Sequence, residues 1–258
     1  AVRVLLPAVV SVVTGASTEM LPPPSATLAP AAVASTVLAT VSAPVTGSPL
    51  VVSLANGQQI TIAVNATSGS VNYTAPNNVY ATNAPVTNSI TGTSGGNYEK
   101  LDTAGTPSTT VTDNPNNLDT TNVTLTATNT VQEGGQITYT AKLSNPAGSA
   151  MTVSLSNGST ITIAKNATEG SVTVDAPRNT VYVDSGNVSA TITGTTGGDF
   201  EKLNVSSTPA VTAVTDTIDT STVTLTATPS VVEGGTVVYT ATVSSPVTVA
   251  PLVISLAN

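Results

Sequence analysis

Ile90–Leu101 reads ITGTSGGNYEKL, and Ile192–Leu203 reads ITGTTGGDFEKL, about 100 residues later. Other stretches return at the same distance. Val123–Thr128 (VTLTAT) returns as Val223–Thr228, and Glu133-Gly134-Gly135 returns as Glu233-Gly234-Gly235. Val52–Asn56 (VSLAN) returns as Val153–Asn157 (VSLSN) and again as Ile254–Asn258 (ISLAN). Self-similarity at a fixed period marks an array of like units, each one folding module. The distance drifts by a residue or two along the chain, which places small insertions in loops.

Within one unit the apolar residues alternate with small polar ones. Val123, Leu125 and Ala127 are separated by Thr, as are Ile137, Tyr139 and Ala141; Met151, Val153 and Leu155 alternate with Thr and Ser, and Ile161 and Ile163 flank a Thr. Period-two alternation of β-branched residues makes half-buried antiparallel strands. Glu133-Gly134-Gly135, Asn145-Pro146-Ala147-Gly148, Asn157-Gly158, Ser185-Gly186-Asn187 and Gly197-Gly198-Asp199 separate them as turns. No segment carries a helical period. Seven or eight short strands in about 100 residues predict an all-β chain of tandem immunoglobulin-like antiparallel sandwiches in a rod. The expected divisions are 1–17, the last strand of a preceding repeat plus linker; 18–119 and 120–219, two repeats; and 220–258, the first strands of an incomplete one. The first assignment aligns Leu6–Val13 with Thr208–Thr215. It also puts Thr14, Ser17 and Ala31 where Asp216, Asp219 and Glu233 stand, so the first junction has lost its acids. The third repeat is expected to continue into a full unit.

Composition narrows the chemistry. The 258 residues include no Cys, His or Trp. Disulfides, thiolate nucleophiles and any Ser–His or Cys–His machinery are therefore excluded, and a metal must be held by oxygen, which suits hard cations. Six Lys+Arg against fourteen Asp+Glu give a net charge of −8. Nucleic acid and anionic membrane surfaces want the opposite sign. No apolar run approaches the ~20 residues of a membrane-spanning helix. Aromatics are only 3%, so a core of Val, Ile, Ala and Thr has little margin over chain entropy and stands to gain from an added restraint.

Charged residues are only 8% of the chain, so the position of each acid is informative. They gather near the repeat boundaries: Asp113 and Asp119 with Glu133 at one, Asp216 and Asp219 with Glu233 at the next. Glu99 and Glu201 are expected to contribute from the preceding units. Ca²⁺ takes six to eight oxygens from carboxylates, amides and backbone, so a Ca²⁺ site is expected at each junction. The competing reading is that Asp and Asn simply make solvated turns. Other features read as structural. Asn65-Ala66-Thr67 and Asn166-Ala167-Thr168 match the glycosylation sequon in a chain rich in Asn and Thr. Lys142 faces outward in its strand, which argues against an isopeptide cross-link. No paired acids flanked by aromatics suggest glycoside hydrolysis.

Taken together, TVTLTAT, VEGG, SL(A/S)NG, ITIA and TGT(S/T)GG(N/D)(Y/F)EKL resemble the extender repeats of LapA-type giant adhesins over about residues 36–258. These are RTX-related, type I secreted biofilm proteins of Gram-negative bacteria. The resemblance implies a non-enzymatic spacer of Ig-like sandwiches, often stiffened by Ca²⁺ at the linkers. Such a spacer projects a terminal adhesive domain from the bacterial cell surface. Its partners would be neighbouring repeats of the same chain and the biofilm matrix, with no direct membrane insertion. The alternatives are a glycan- or protein-binding sandwich and an accessory domain of a secreted polysaccharide enzyme. Exposed aromatics would favour the binding module.

Overall fold

A computed structural model describes residues 8–16 and 34–257; the expected boundary near residue 18 and the position of Ala31 lie outside them. The described residues are strand and turn, with no helix. Two compact units emerge. One runs up to Thr121 and includes Asp199–Leu203; the other takes Asn122–Gly198 and continues from Asn204.

The first repeat holds β1 (Ala8–Ala16), β2 (Ala34–Val41), β3 (Leu50–Leu54), β4 (Gln59–Ile62), β5 (Ser68–Thr74), β6 (Val86–Thr87), β7 (Ile90–Ser94), β8 (Leu101–Ala104) and β9 (Ser108–Thr109). The second holds β10 (Thr120–Ala127), β11 (Thr130–Gln132), β12 (Gln136–Leu143), β13 (Met151–Leu155), β14 (Thr160–Ile163), β15 (Glu169–Asp175), β16 (Gly186–Ala190), β17 (Ile192–Gly197), β18 (Lys202–Val205) and β19 (Ala210–Thr215). β20 (Val223–Ala227) and β21 (Tyr239–Val243) open the third.

Each of the first two repeats builds a four-stranded sheet, ordered β5-β2-β1-β8 and β15-β12-β10-β18, and a three-stranded one, β4-β3-β7 and β14-β13-β17. Their inward faces meet. In the first repeat Val37, Ala39 and Val41 from β2 share one buried cluster with Leu50, Val52 and Leu54 from β3 and Ile60 and Ile62 from β4. The second repeats the pattern with Ile137, Tyr139 and Ala141 against Met151, Val153, Ile161 and Ile163, all at 0% exposure. Thr124 and Thr126 of β10 face solvent between the buried Val123 and Leu125, giving the in–out pattern of a sandwich. The second repeat completes its fold with β11-β19-β16, in which β11 runs parallel to β19 and β16 antiparallel to it. In the first repeat the corresponding ladder among the described residues is the two pairs of β6 and β9.

The first strand corrects one expectation. β1 pairs antiparallel with β2, Val10 opposite Val41, and parallel with β8. That is the place β10 takes in the second repeat, where Val123 lies opposite Leu143. Residues 8–16 are thus the first strand of the repeat that follows them, not the last strand of a preceding one. A short strand of alternating Val has no address of its own. Val10 and Val12 match Val123 and Leu125 as well as Val9 and Val12 match Val211 and Val214, and the hydrogen-bonded ladder decides.

The repeated Gly-Gly turn has a backbone cause. Gly95, Gly96 and Asn97 all adopt positive φ (79°, 84° and 49°), as do Gly197, Gly198 and Asp199 (78°, 88° and 56°). Three left-handed residues in a row require Gly where a Cβ would clash and favour Asn or Asp at the third place. Asn65 and Asn166 also sit at positive φ, and their N–H groups donate to Val45 O and Ala147 O, 2.8 Å each. They are turn residues, whatever the sequon suggests. Lys142 pairs outward with Glu169 at 3.4 Å, both side chains largely exposed.

Tyr139 is fully buried, and its hydroxyl has no hydrogen-bond partner. Burial also pushes that hydroxyl above its ordinary pKa. Tyr139→Phe keeps the ring and removes the orphaned group. It should stabilise the second repeat by up to about 1 kcal/mol, read as a higher midpoint in urea with an unchanged slope.

In the third repeat β20 and β21 pair in the register of β10 and β12, Val223 opposite Val243 and Ala227 opposite Tyr239. Val223, Leu225 and Tyr239 are about half exposed, whereas Val123, Leu125 and Tyr139 are buried.

Candidate metal centre at the end of the second sandwich

Two strand ends and a loop bring carboxylates together. Glu133 directly follows β11, and its N–H donates to Thr215 O at 3.0 Å, which extends the parallel β11–β19 ladder by one step. Gly134, at φ 71°, turns the chain away and donates to Pro177 O at 2.7 Å. The Glu-Gly-Gly sequence therefore ends a strand and turns its carboxylate inward. Asp216 follows β19 immediately. Asp184 comes from the loop joining β15 and β16. There Thr180 Oγ1 donates to Asp184 Oδ2 at 3.2 Å, and the Tyr182 N–H donates to Thr180 Oγ1 at 3.1 Å. Thr217 Oγ1 ties the same loop down through Asn179 Oδ1, 2.9 Å away.

One carboxylate oxygen from each of Glu133, Asp184 and Asp216 lies within 4.8 Å of the others. Glu133 is only 7% exposed. Its Oε2 and the Oδ1 of Asp216 are buried without a hydrogen-bond partner. The Glu133 carboxyl is held above its usual range, first by its hydrogen bond to Asp184, then by burial and by the Asp184 and Asp216 charges; a bond from the Thr180 backbone opposes this. Two buried carboxylate oxygens with vacant lone pairs at two strand ends, beside the exposed Asp184 carboxylate of the neighbouring loop, fit a hard divalent cation. They do not fit a group that needs nitrogen or sulfur ligands.

This grouping differs from the sequence expectation. Glu133 stands with Asp216 of its own repeat, because a sandwich brings the starts and ends of its edge strands to one pole. Asp184 was missed. Its counterpart in the first repeat is Thr82, so it leaves no recurrent signal. Asp113, the counterpart of Asp216, accepts a hydrogen bond from Asn83 Nδ2, and Asn83 Oδ1 in turn takes one from Asn78 at 2.5 Å. Asp119 accepts from Asn77 Nδ2 at 2.7 Å, and its own N–H donates to Glu201 Oε2 at 2.6 Å. These acids are satisfied by amides. Glu99, Asp219 and Glu233 are exposed. None of the six belongs to a group of three metal-type ligands among the described residues.

The raised Glu133 pKa gives the metal-free protein a definite pH response. A carboxyl whose folded pKa exceeds its unfolded value adds stability that is complete below the unfolded value and is lost as pH rises through the folded one. Chelated protein should therefore melt higher at mildly acid pH than at neutral pH. The difference between wild type and Glu133→Gln across a pH series isolates this group; a difference that does not vary with pH would rule it out.

The fold and its acidic pole define the class: tandem all-β sandwich repeats that carry an oxygen-ligand cluster in a loop-and-strand-end setting. A family model described as the LapA domain matches residues 26–114, 119–217 and 219–258. The chain belongs to this family and is part of a LapA-type adhesin repeat region. The family is one of cell-surface adhesins, not of enzymes. No curated protein matches the chain. Among the described residues no helix is long and apolar enough to cross a membrane.

Proposed function

We propose that this chain is an extender segment of a secreted biofilm adhesin. It is a run of Ig-like sandwiches that carries no catalytic or adhesive site and holds a terminal adhesive domain away from the bacterial surface. The observation that carries the reading is the succession of LapA-domain matches, 26–114, 119–217 and 219–258. A recognition module needs one distinctive surface, whereas a spacer needs only repetition. The cluster of Glu133, Asp184 and Asp216 supports Ca²⁺ as the stiffening ion of the second repeat, completed by backbone and water oxygens. Bound there, Ca²⁺ would tie β11, the β15–β16 loop and the end of β19 to one another, just where the chain leaves the sandwich.

The test is competition. Purified chain is added in excess to bacteria that attach through the intact adhesin. A spacer leaves attachment unchanged. A sandwich that itself recognises glycan or protein would block attachment in proportion to its concentration, and that result would replace the extender reading.

A further inference from the structure

Asp199–Leu203, which the sequence assigns to the second repeat, lies in the first compact unit. The contact has backbone, ring and side-chain parts. Tyr80 and Phe200 form an isolated antiparallel bridge. The Ala81 N–H donates to Asp199 O at 3.1 Å, and the Glu201 N–H donates to Val79 O at 3.0 Å. The two rings stack with centroids 6.0 Å apart and planes 26° apart. Thr82 Oγ1 donates to Asp199 Oδ1 at 2.7 Å. The Glu201 carboxylate reaches past the bridge to the Asp119 N–H, so the linker is tied to the same segment.

We propose that the Val79–Asn83 loop is a strand-addition clamp whose partner is the Gly-Gly-Asp-Phe-Glu turn of the following repeat, and that it works without metal. The reciprocal backbone bonds supply the pairing and the stacked rings the specificity, as in other recognition by strand addition. The turn suits the role because its left-handed residues end at Asp199, which leaves Phe200 and Glu201 extended and free to pair.

Both halves of the clamp occur in the first two repeats. Val79-Tyr80 returns as Val181-Tyr182, and Asn97-Tyr98-Glu99 precedes Asp199-Phe200-Glu201 by one period. The second Val-Tyr hook is also engaged forward in sequence, since Tyr182 Oη donates to Pro246 O at 2.8 Å. The position two residues after the hook tyrosine differs between the loops. Thr82 bonds Asp199, whereas its counterpart Asp184 turns to the carboxylate cluster. One loop therefore serves the clamp alone and the other serves the clamp and the ion.

The clamp deepens the extender reading but does not rest on the calcium site. The experiment is amide hydrogen exchange on the whole chain in chelator, comparing wild type with Tyr80→Ala, Phe200→Ala, the double variant and Thr82→Val. Protection is expected at Ala81 and Glu201 in wild type. Each single aromatic variant should lower it about tenfold at both amides, the double variant no further, and Thr82→Val by less. Amides such as Val153 in the second core report that the fold is intact. Free exchange of Ala81 and Glu201 in wild type, or effects of the two aromatic variants that simply add, would overturn the clamp. Failure of the extender reading would show as blocked attachment with this protection unchanged.

Discussion

Saturating Ca²⁺ should raise the melting temperature of the second repeat by about 10–20 °C over chelated protein. That range follows from the ~2.7 kcal/mol supplied at a hundred times the dissociation constant and the usual sensitivity of a domain of about 100 residues. The direction follows from the site. Glu133, Asp184 and Asp216 converge with two buried oxygens unpartnered, and their mutual repulsion falls on a small core that lacks large side chains. A divalent ion turns that repulsion into attraction. Glu133→Gln should therefore act with opposite signs in the two conditions. In chelator it removes one of three clustered charges and stabilises the repeat; in Ca²⁺ it removes a ligand and loses most of the metal-dependent gain. Calorimetric scans of both proteins in both conditions check this. A variant that is destabilised equally with and without Ca²⁺ would mean that Glu133 matters only for packing.

Gly197→Ala should destabilise the second repeat by roughly 3 kcal/mol. Gly197 sits at φ 78°, and a Cβ there would overlap the carbonyl oxygen of Ala150. The next residue, Gly198, donates to Ser149 Oγ at 3.1 Å and to Ala150 O at 3.3 Å, so the turn cannot withdraw without giving up these bonds. Gly158 is the control. It has a similar φ of 84°, but a Cβ there meets nothing within 4 Å, so Gly158→Ala should cost only the left-handed backbone, about 1 kcal/mol. Equal losses at the two positions, measured by denaturant unfolding, would show that the close approach to Ala150 is not what demands glycine.

The strands and turns were legible because each rests on local rules. Alternation assigns Ile137, Tyr139 and Ala141 to one face whatever lies opposite them, and Gly-Gly-Asp announces left-handed backbone by composition alone. Which residues meet at a pole is a different kind of fact. Glu133 and Asp216 lie at the ends of β11 and β19, far apart in sequence, and the parallel pairing of those strands brings them together. Sequence distance grouped Glu133 with Asp113 and Asp119 instead. Asp184 stands where the first repeat has Thr82, so an argument from recurrence passes over it. The acids at the first junction carried no mark that Asn77, Asn83 and the Asp119 N–H would satisfy them. The bridge between Tyr80 and Phe200 joins parts of adjacent repeats, and single-unit periodicity says nothing about it.

The most direct measurement is Ca²⁺ titration of the whole chain by calorimetry, beside Asp184→Asn and Asp119→Ala. The account predicts that wild type and Asp119→Ala bind alike and that Asp184→Asn loses the binding. Binding that survives Asp184→Asn, or that disappears with Asp119→Ala, would contradict the placement of the ion in the second sandwich.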